Sequence, residues 1–217
     1  MAGFLRVWLV LAAAVSLVGC ERDVHDYKYR LTLEVNDNGR VYTGSSVVMV
    51  HQGKSETIDD GYLLRTHSRG EATVVKLGNG RVLCALLHGP SIQVHDFSQP
   101  AWNDGPSVVL IEAYGLPVHD YERSLSEVVG LRGAREIALD RLPALAASTD
   151  PADPQSFQFV DPNNLAPALG DGVRLQRATV EVTDDPITNG ITRTVPWLTH
   201  PPHTFYGSHP MSGDFVD

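Results

Sequence analysis

The clearest pattern in the chain is an alternation of apolar and polar side chains over residues 27–35. A period of two places one set of side chains in a core and the other in water, which is typical of a β-strand. The turn-forming sequence Asn36-Asp37-Asn38-Gly39 follows it. Residues 41–50, rich in β-branched side chains, are predicted to return as the hairpin partner.

A second hairpin is predicted from residues 71–77, the turn Gly78-Asn79-Gly80 and residues 81–87. Its second arm is apolar on both faces, which indicates a central strand. The mostly polar residues 53–70 between the hairpins are predicted to be a loop. Residues 107–114 contain four consecutive branched apolar side chains and are predicted to be a buried strand.

The second half of the chain has weaker periodicity. Helical spacing predicts a helix over residues 120–129, which Gly130 would end. Residues 137–145 are compatible with helix or strand, although Pro143 argues against an uninterrupted helix. A short strand is predicted over residues 157–160, between two turns rich in aspartate and proline.

Residues 173–182 form the last predicted strand, and the phase of its alternation changes along its length. Such a change indicates either a bulge near Gln176 or Arg177 or a strand that crosses from one core to another. Together these elements predict a mainly β (α+β) domain built from sequential hairpins. We expect an antiparallel sheet, or a sandwich or barrel-like arrangement, with one or two short helices.

The first twenty residues have the order of an export signal. One cation, Arg6, precedes an apolar run that ends in Leu17-Val18-Gly19-Cys20. This ending resembles the lipobox of bacterial lipoproteins, which implies a diacylglyceryl thioether on Cys20. The alternative is an ordinary secretory signal with an incidental cysteine. In bacterial lipoproteins an aspartate after the cysteine favours the inner membrane, so Glu21 favours the outer membrane, facing the periplasm.

These features divide the chain into four parts. Residues 1–19 are the expected signal peptide, and residues 20–26 are the lipidated cysteine with a short tether. Residues 27–198 are expected to form a single β-rich domain, since the chain is 42% hydrophobic and long enough to bury one sizeable core, or at most two small ones. Residues 199–217 are rich in proline, histidine and glycine and are predicted to be a mostly disordered tail.

The charge of the chain limits its partners. The formal net charge is −9, and removing residues 1–19 takes away Arg6 and no acid, which gives −10. An acidic surface is repelled by nucleic acid and by anionic lipid. We therefore expect no nucleic-acid partner, and membrane attachment through the N-terminal lipid alone.

Several stretches between residues 27 and 198 resemble a family of proteobacterial lipoproteins or membrane-anchored proteins of unknown function. The resemblance implies an architecture and a location, and no activity, cofactor or catalytic residue. The stretches that carry it are Tyr29-Arg30-Leu31-Thr32-Leu33-Glu34-Val35, Thr43-Gly44-Ser45-Ser46-Val47, Gly70-Glu71-Ala72, Asp150-Pro151-Ala152-Asp153-Pro154, Val160-Asp161-Pro162, Gly172-Val173-Arg174-Leu175, Thr183-Asp184-Asp185-Pro186 and Pro196-Trp197-Leu198.

Two groups of residues are candidate metal ligands. His200, His203 and His209 could share a divalent transition metal, although the neighbouring prolines forbid a helix that would align them. The alternative is a solvated tail with incidental histidines. Asp184 and Asp185 could bind a hard cation such as calcium, or could simply shape the turn before Pro186.

Catalytic candidates are few. Ser46 with His51 nearby lacks the glycine spacing of a nucleophile elbow. Glu71 has no identifiable partner. Cys84 lies in an apolar stretch, so a buried inert thiol is expected. No glycine-rich phosphate loop is present in the sequence.

The sequence therefore favours a cell-envelope lipoprotein that acts as a non-catalytic structural or interaction module, with an envelope protein as its partner and no cofactor. The alternative is a periplasm-facing binding protein for a divalent metal or small ligand. An enzyme is the third possibility, because catalytic groups converge in space and not in sequence.

Overall fold

The computed structural model describes residues 25–56, 62–87, 106–200 and 215–216. Within these ranges the chain forms two antiparallel β-sheets, of five and four strands, and three short α-helices. The predicted mainly β fold is therefore confirmed. The expected signal peptide and Cys20 lie outside the described residues.

The larger sheet contains the strands β1 (His25–Asp37), β2 (Arg40–Glu56), β3 (Tyr62–Arg69), β6 (Arg135–Glu136) and β9 (Val173–Val182). Strand β1 lies at its centre, in the order β3-β2-β1-β9-β6. The apolar side chains of β1 predicted to face the core are all buried, none more than 5% exposed.

Local backbone geometry explains both the first turn and the phase change in β9. Asn38 and Gly39 have φ values of 51° and 92°, as a tight two-residue hairpin turn requires. Along β9, Arg177 pairs with Glu34, whereas Leu175 pairs with Val35. Gln176 is therefore the extra residue of a bulge, which confirms the predicted irregularity.

The smaller sheet contains the strands β4 (Thr73–Lys76), β5 (Val82–Ala85), β7 (Leu145–Ser148) and β8 (Gln158–Val160). Their order is β4-β5-β7-β8. Strand β5 lies between two partners, and all four of its side chains are buried, as its two apolar faces predict. The predicted second hairpin is the β4–β5 pair.

The smaller sheet separates two hydrophobic cores. Leu83 and Ala85 face the larger sheet and belong to what we call the main core. Val82 and Cys84 face the opposite way, into what we call the second core. Residues 190–200 and 215–216, which we call the C-terminal cover, close the second core with five buried side chains: Ile191, Val195, Trp197, Leu198 and Phe215.

The helices are α1 (Pro106–Ala113), α2 (Tyr121–Val128) and α3 (Ala166–Leu169). The strand predicted at residues 107–114 is wrong, because this segment is α1. A short apolar run buried on most sides has no period that distinguishes strand from helix, and Pro106 stands at the first helical position, which suits its fixed φ. The helix predicted at residues 120–129 is confirmed as α2.

Two further predictions need correction. The loop predicted at residues 53–70 is wrong, because β2 continues to Glu56 and pairs with the edge strand β3. Backbone pairing at a solvent-facing edge does not require apolar side chains. Residues 137–145 are mostly neither helix nor strand, and contain a 3₁₀ turn at Leu139–Arg141 before β7 begins at Leu145.

The tail predicted to be disordered is described only at its two ends. Residues 201–214 and 217 lie outside the described residues. Thr199 ends a 3₁₀ turn, and Phe215 is fully buried in the second core. The backbone N–H of Ala72 donates a hydrogen bond to the Phe215 carbonyl at 2.6 Å, so this end of the chain is part of the fold.

Candidate functional site

A cleft of about 420 Å³ lies on the outer face of β2 and β3, lined by Met49, His51, His67, Ser68 and Arg69. His51 stands directly opposite His67 in the β2–β3 register, and Met49 stands opposite Arg69. Side chains directly opposite each other in antiparallel strands have Cβ atoms about 4.5–5.5 Å apart. The two exposed imidazoles can therefore converge on one bound atom, and we call this surface the histidine cleft.

Asp26 orients the imidazole of His51. It stands opposite His51 in the β1–β2 register, and its Oδ1 lies 2.5 Å from His51 Nδ1. Both side chains are about half exposed, at 49% for Asp26 and 48% for His51. A carboxylate accepts the Nδ1 hydrogen, which leaves the lone pair of Nε2 available to a ligand.

A buried polar network fixes the strands beneath the cleft. Gln52 faces inward and donates hydrogen bonds to the Ser107 hydroxyl at 2.7 Å and the Tyr121 hydroxyl at 2.5 Å. The Tyr27 hydroxyl lies 2.5 Å from the same Ser107 oxygen. Burial raises the pKa of Tyr27, and the Ser107 hydrogen bond opposes this only in part. The network thus remains neutral and holds α1 and α2 against β1 and β2.

The predicted histidine cluster of the tail is described only at His200. Its Nδ1 lies 3.0 Å from the Thr199 hydroxyl, and its side chain is exposed. His203 and His209 lie outside the described residues. Within the ranges the structure describes, no three histidine, cysteine, aspartate or glutamate side chains converge on one point.

Asp184 and Asp185 lie among positively charged side chains. Arg132 donates a hydrogen bond to the Asp184 carboxylate at 2.8 Å, and Arg30 donates one to the Asp185 carboxylate. Lys28 donates to both of their backbone carbonyls at 2.7 Å. These oxygens already face three positive side chains, so the arrangement does not favour a calcium ion.

Ser46 and Cys84 have structural surroundings. Ser46 is buried on the inner face of β2, with its hydroxyl 2.5 Å from the Thr73 hydroxyl, whereas His51 is exposed on the outer face. The geometry therefore does not pair Ser46 with His51. Cys84 is fully buried as expected, and burial raises the pKa of its thiol, so the unreactive protonated form is favoured.

The side chain of Glu71 links two segments that lie far apart in the sequence. Its two carboxylate oxygens accept hydrogen bonds from the backbone N–H groups of Gly190 at 2.7 Å and Ile191 at 2.9 Å. Both partners are more than a hundred positions away in the chain. No local pattern in the sequence could have revealed this contact.

His67 is the functional candidate that the sequence analysis missed, because it lay in the segment predicted to be a loop. A signal was present. The dipeptide Asp60-Gly61 is a common hairpin turn, and it lies between His51 and His67. A turn at that dipeptide predicts the two histidines on adjacent strands, but only the observed pairing of Glu56 with Tyr62 sets His51 opposite His67.

No helix in the described ranges combines the length and the apolarity that a membrane span needs. Comparison of the chain with protein-family models, with curated proteins and with solved structures finds no match.

Proposed function

We propose that this chain is a lipid-anchored lipoprotein of the cell envelope, whose domain is a non-catalytic structural or interaction module. The observation that carries the proposal is the lipobox-like Leu17-Val18-Gly19-Cys20 just ahead of the folded domain. Strand β1 begins at His25, so only residues 21–24 intervene. A tether of that length spans less than about 20 Å, which would hold the domain beside the bilayer.

Structural roles for the polar candidates support a non-catalytic module. The hydroxyl of Ser46 contacts Thr73, and the carboxylate of Glu71 contacts two backbone amides. The resemblance to proteobacterial lipoproteins agrees with this role. Glu21 favours the outer membrane, with the domain facing the periplasm.

Mass spectrometry of the full chain expressed in a Gram-negative bacterium tests the anchor. We expect loss of residues 1–19 and a diacylglyceryl adduct on Cys20. Cys20→Ser should abolish the adduct and release the protein from membranes, whereas the matched control Cys84→Ser should retain both. An unmodified thiol at Cys20 in the wild-type protein would refute the proposal.

Crosslinking in the same cells tests the interaction role. We expect a discrete adduct with an envelope protein that depends on Cys20, since anchoring confines the domain to that surface. Recovery of the uncrosslinked monomer alone, at crosslinker levels that capture a known envelope complex, would contradict an interaction role.

A second candidate function is the binding of a divalent metal or small ligand. The histidine cleft favours it, because two exposed imidazoles stand directly opposite each other there. The tail histidines His200, His203 and His209 remain the alternative location. Calorimetric titration of zinc, copper and nickel into the full chain in detergent micelles tests this candidate.

A further inference from the structure

We propose that the histidine cleft binds a copper(I) ion through the imidazoles of His51 and His67, with the thioether of Met49 as a third donor. This inference rests on the metal-binding part of the second candidate function, and it changes the ion from a divalent one to monovalent copper(I). It assigns the metal to the outer face of β2 and β3 and not to the tail.

The strand register supplies the geometry. His51 lies on β2, which is paired with β1 on one side and β3 on the other, so its backbone position is held from both sides. His67 stands opposite it on β3. Met49 lies two residues before His51, which places it on the same face of β2, and it lines the same cleft.

Asp26 completes the arrangement as a positioning residue. Its contact with Nδ1 of His51 occupies the nitrogen that would otherwise compete for the metal. Metal-binding histidines commonly present the other nitrogen to a carboxylate in this way, which fixes the tautomer and the orientation of the ring. Because Asp26 is engaged with His51, it is not counted as a ligand.

The donor set selects the ion. Imidazole nitrogen suits zinc, copper and nickel alike, but a thioether is a soft donor that selects copper(I). Structural zinc sites take four donors from cysteine, histidine and carboxylate, and the cleft offers two of these. Arg69, whose guanidinium carries a positive charge, also lines the cleft. Its repulsion is proportional to the charge of the ion, so it disfavours a divalent cation more than a monovalent one.

The test uses the full chain in detergent micelles, in a Cys20→Ser background so that a free thiol at that position cannot compete. Copper(I) affinity is measured without oxygen, by competition with a chromophoric chelator, and zinc binding is measured by calorimetry. We expect His51→Gln and His67→Gln each to weaken copper(I) binding more than tenfold. Asp26→Asn should weaken it by about 10- to 100-fold.

Met49→Leu separates copper(I) from harder ions, because it removes the sulfur and retains the apolar volume. It should weaken copper(I) binding and leave any zinc binding unchanged. His119→Gln is the matched control, since His119 is exposed in a 3₁₀ turn outside the cleft and should be neutral. Circular dichroism of each variant checks that the fold is retained.

Three outcomes would overturn the inference. If the parent chain binds none of the metals, the site and the metal-binding part of the second candidate function both fail. If it binds copper and loses it only when His200, His203 and His209 are replaced by glutamine, the site in the cleft fails and metal binding by the tail stands. If Met49→Leu leaves copper(I) affinity unchanged, the assignment of copper(I) fails. Lipid attachment at Cys20 is measured separately and is unaffected by all three.

Discussion

The two faces of the smaller sheet are closed in different ways. Regular elements close the main core: the alternating strands of the larger sheet and the helices α1 and α2. The second core is closed by the C-terminal cover, whose residues 190–200 contain two short 3₁₀ turns. Phe157, Trp197 and Phe215 form an edge-to-face aromatic cluster there, with ring centroids 5.3–5.7 Å apart. Packing of these three aromatic rings thus closes the second core where no strand or α-helix of the cover does so.

This difference predicts different cooperativity. The main core is built into paired strands, whereas the described residues of the cover are held by the Glu71 carboxylate, the Ala72–Phe215 backbone hydrogen bond and the side chains buried in the second core. Segments attached without extended strand pairing open locally at a lower free energy than global unfolding. The second core should therefore open before the main core.

The largest effect is expected in the main core. Leu33 is fully buried at the centre of β1, and Leu33→Ala should lower the free energy of unfolding by about 4 kcal/mol. Chemical denaturation measures this loss. Thr32→Ala, on the outer face of the same strand, should cost under about 1 kcal/mol. Equal losses in the two variants would show that the main core is not where stability is concentrated.

Phe215→Ala should have the next largest effect, about 3 kcal/mol, the lower end for a buried phenylalanine. We expect the lower end because the cover can detach without unfolding the larger sheet. Hydrogen exchange should accelerate at the Ala72 amide, which donates to Phe215, and should remain slow in β1. Uniform acceleration across both sheets would mean that the two cores unfold as one unit.

Glu71→Gln should cost about 1.5–2 kcal/mol, because the carboxylate makes two charge-assisted hydrogen bonds to Gly190 and Ile191. The amide keeps one acceptor oxygen and loses the negative charge. Thermal unfolding measures the loss, with Glu34→Gln on the outer face of β1 as the matched control. A loss no larger than that of the control would remove Glu71 from the attachments of the cover.

The same division explains what the sequence could predict. Residues 27–35 and 173–182 carry their own period, so β1, β9 and the bulge at Gln176 were predictable. Helix α1 is apolar on most sides, so its sequence has no period that distinguishes a helix from a strand. Strand β3 is held by backbone pairing with β2, which local side-chain patterns do not reveal.

The candidate site was predictable only in part. His51 is visible in the sequence, but its partner His67 requires the β2–β3 register. The C-terminal cover depends on contacts such as Glu71 with Gly190, between segments far apart in the chain. Long-range pairing is set by packing, which local patterns do not record.

The smallest effect is a pH dependence that reports on the second core alone. Burial raises the pKa of the Cys84 thiol, whereas an unfolded thiol loses its proton above about pH 8.5. Above that pH the unfolded state binds fewer protons than the folded state, so stability falls with rising pH, by about 1.4 kcal/mol per unit. Burial also raises the pKa of Tyr27 and Tyr29 in the main core, but unfolded phenols titrate only near pH 10.

Comparing the parent chain with Cys84→Ala isolates this effect, because the tyrosines contribute equally to both proteins and cancel. Between about pH 8.5 and 9.5 the effect amounts to about 1 kcal/mol. Denaturant unfolding in a Cys20→Ser background should show any stability advantage of Cys84 shrinking as the pH rises. If the second core opens locally at alkaline pH, the thiol ionises before global unfolding. The difference in unfolding free energy between the parent chain and Cys84→Ala would then stop changing with pH once the second core is open. If the stability difference between the two proteins does not change with pH from about pH 8.5 upward, Cys84 is already accessible to solvent in the folded protein.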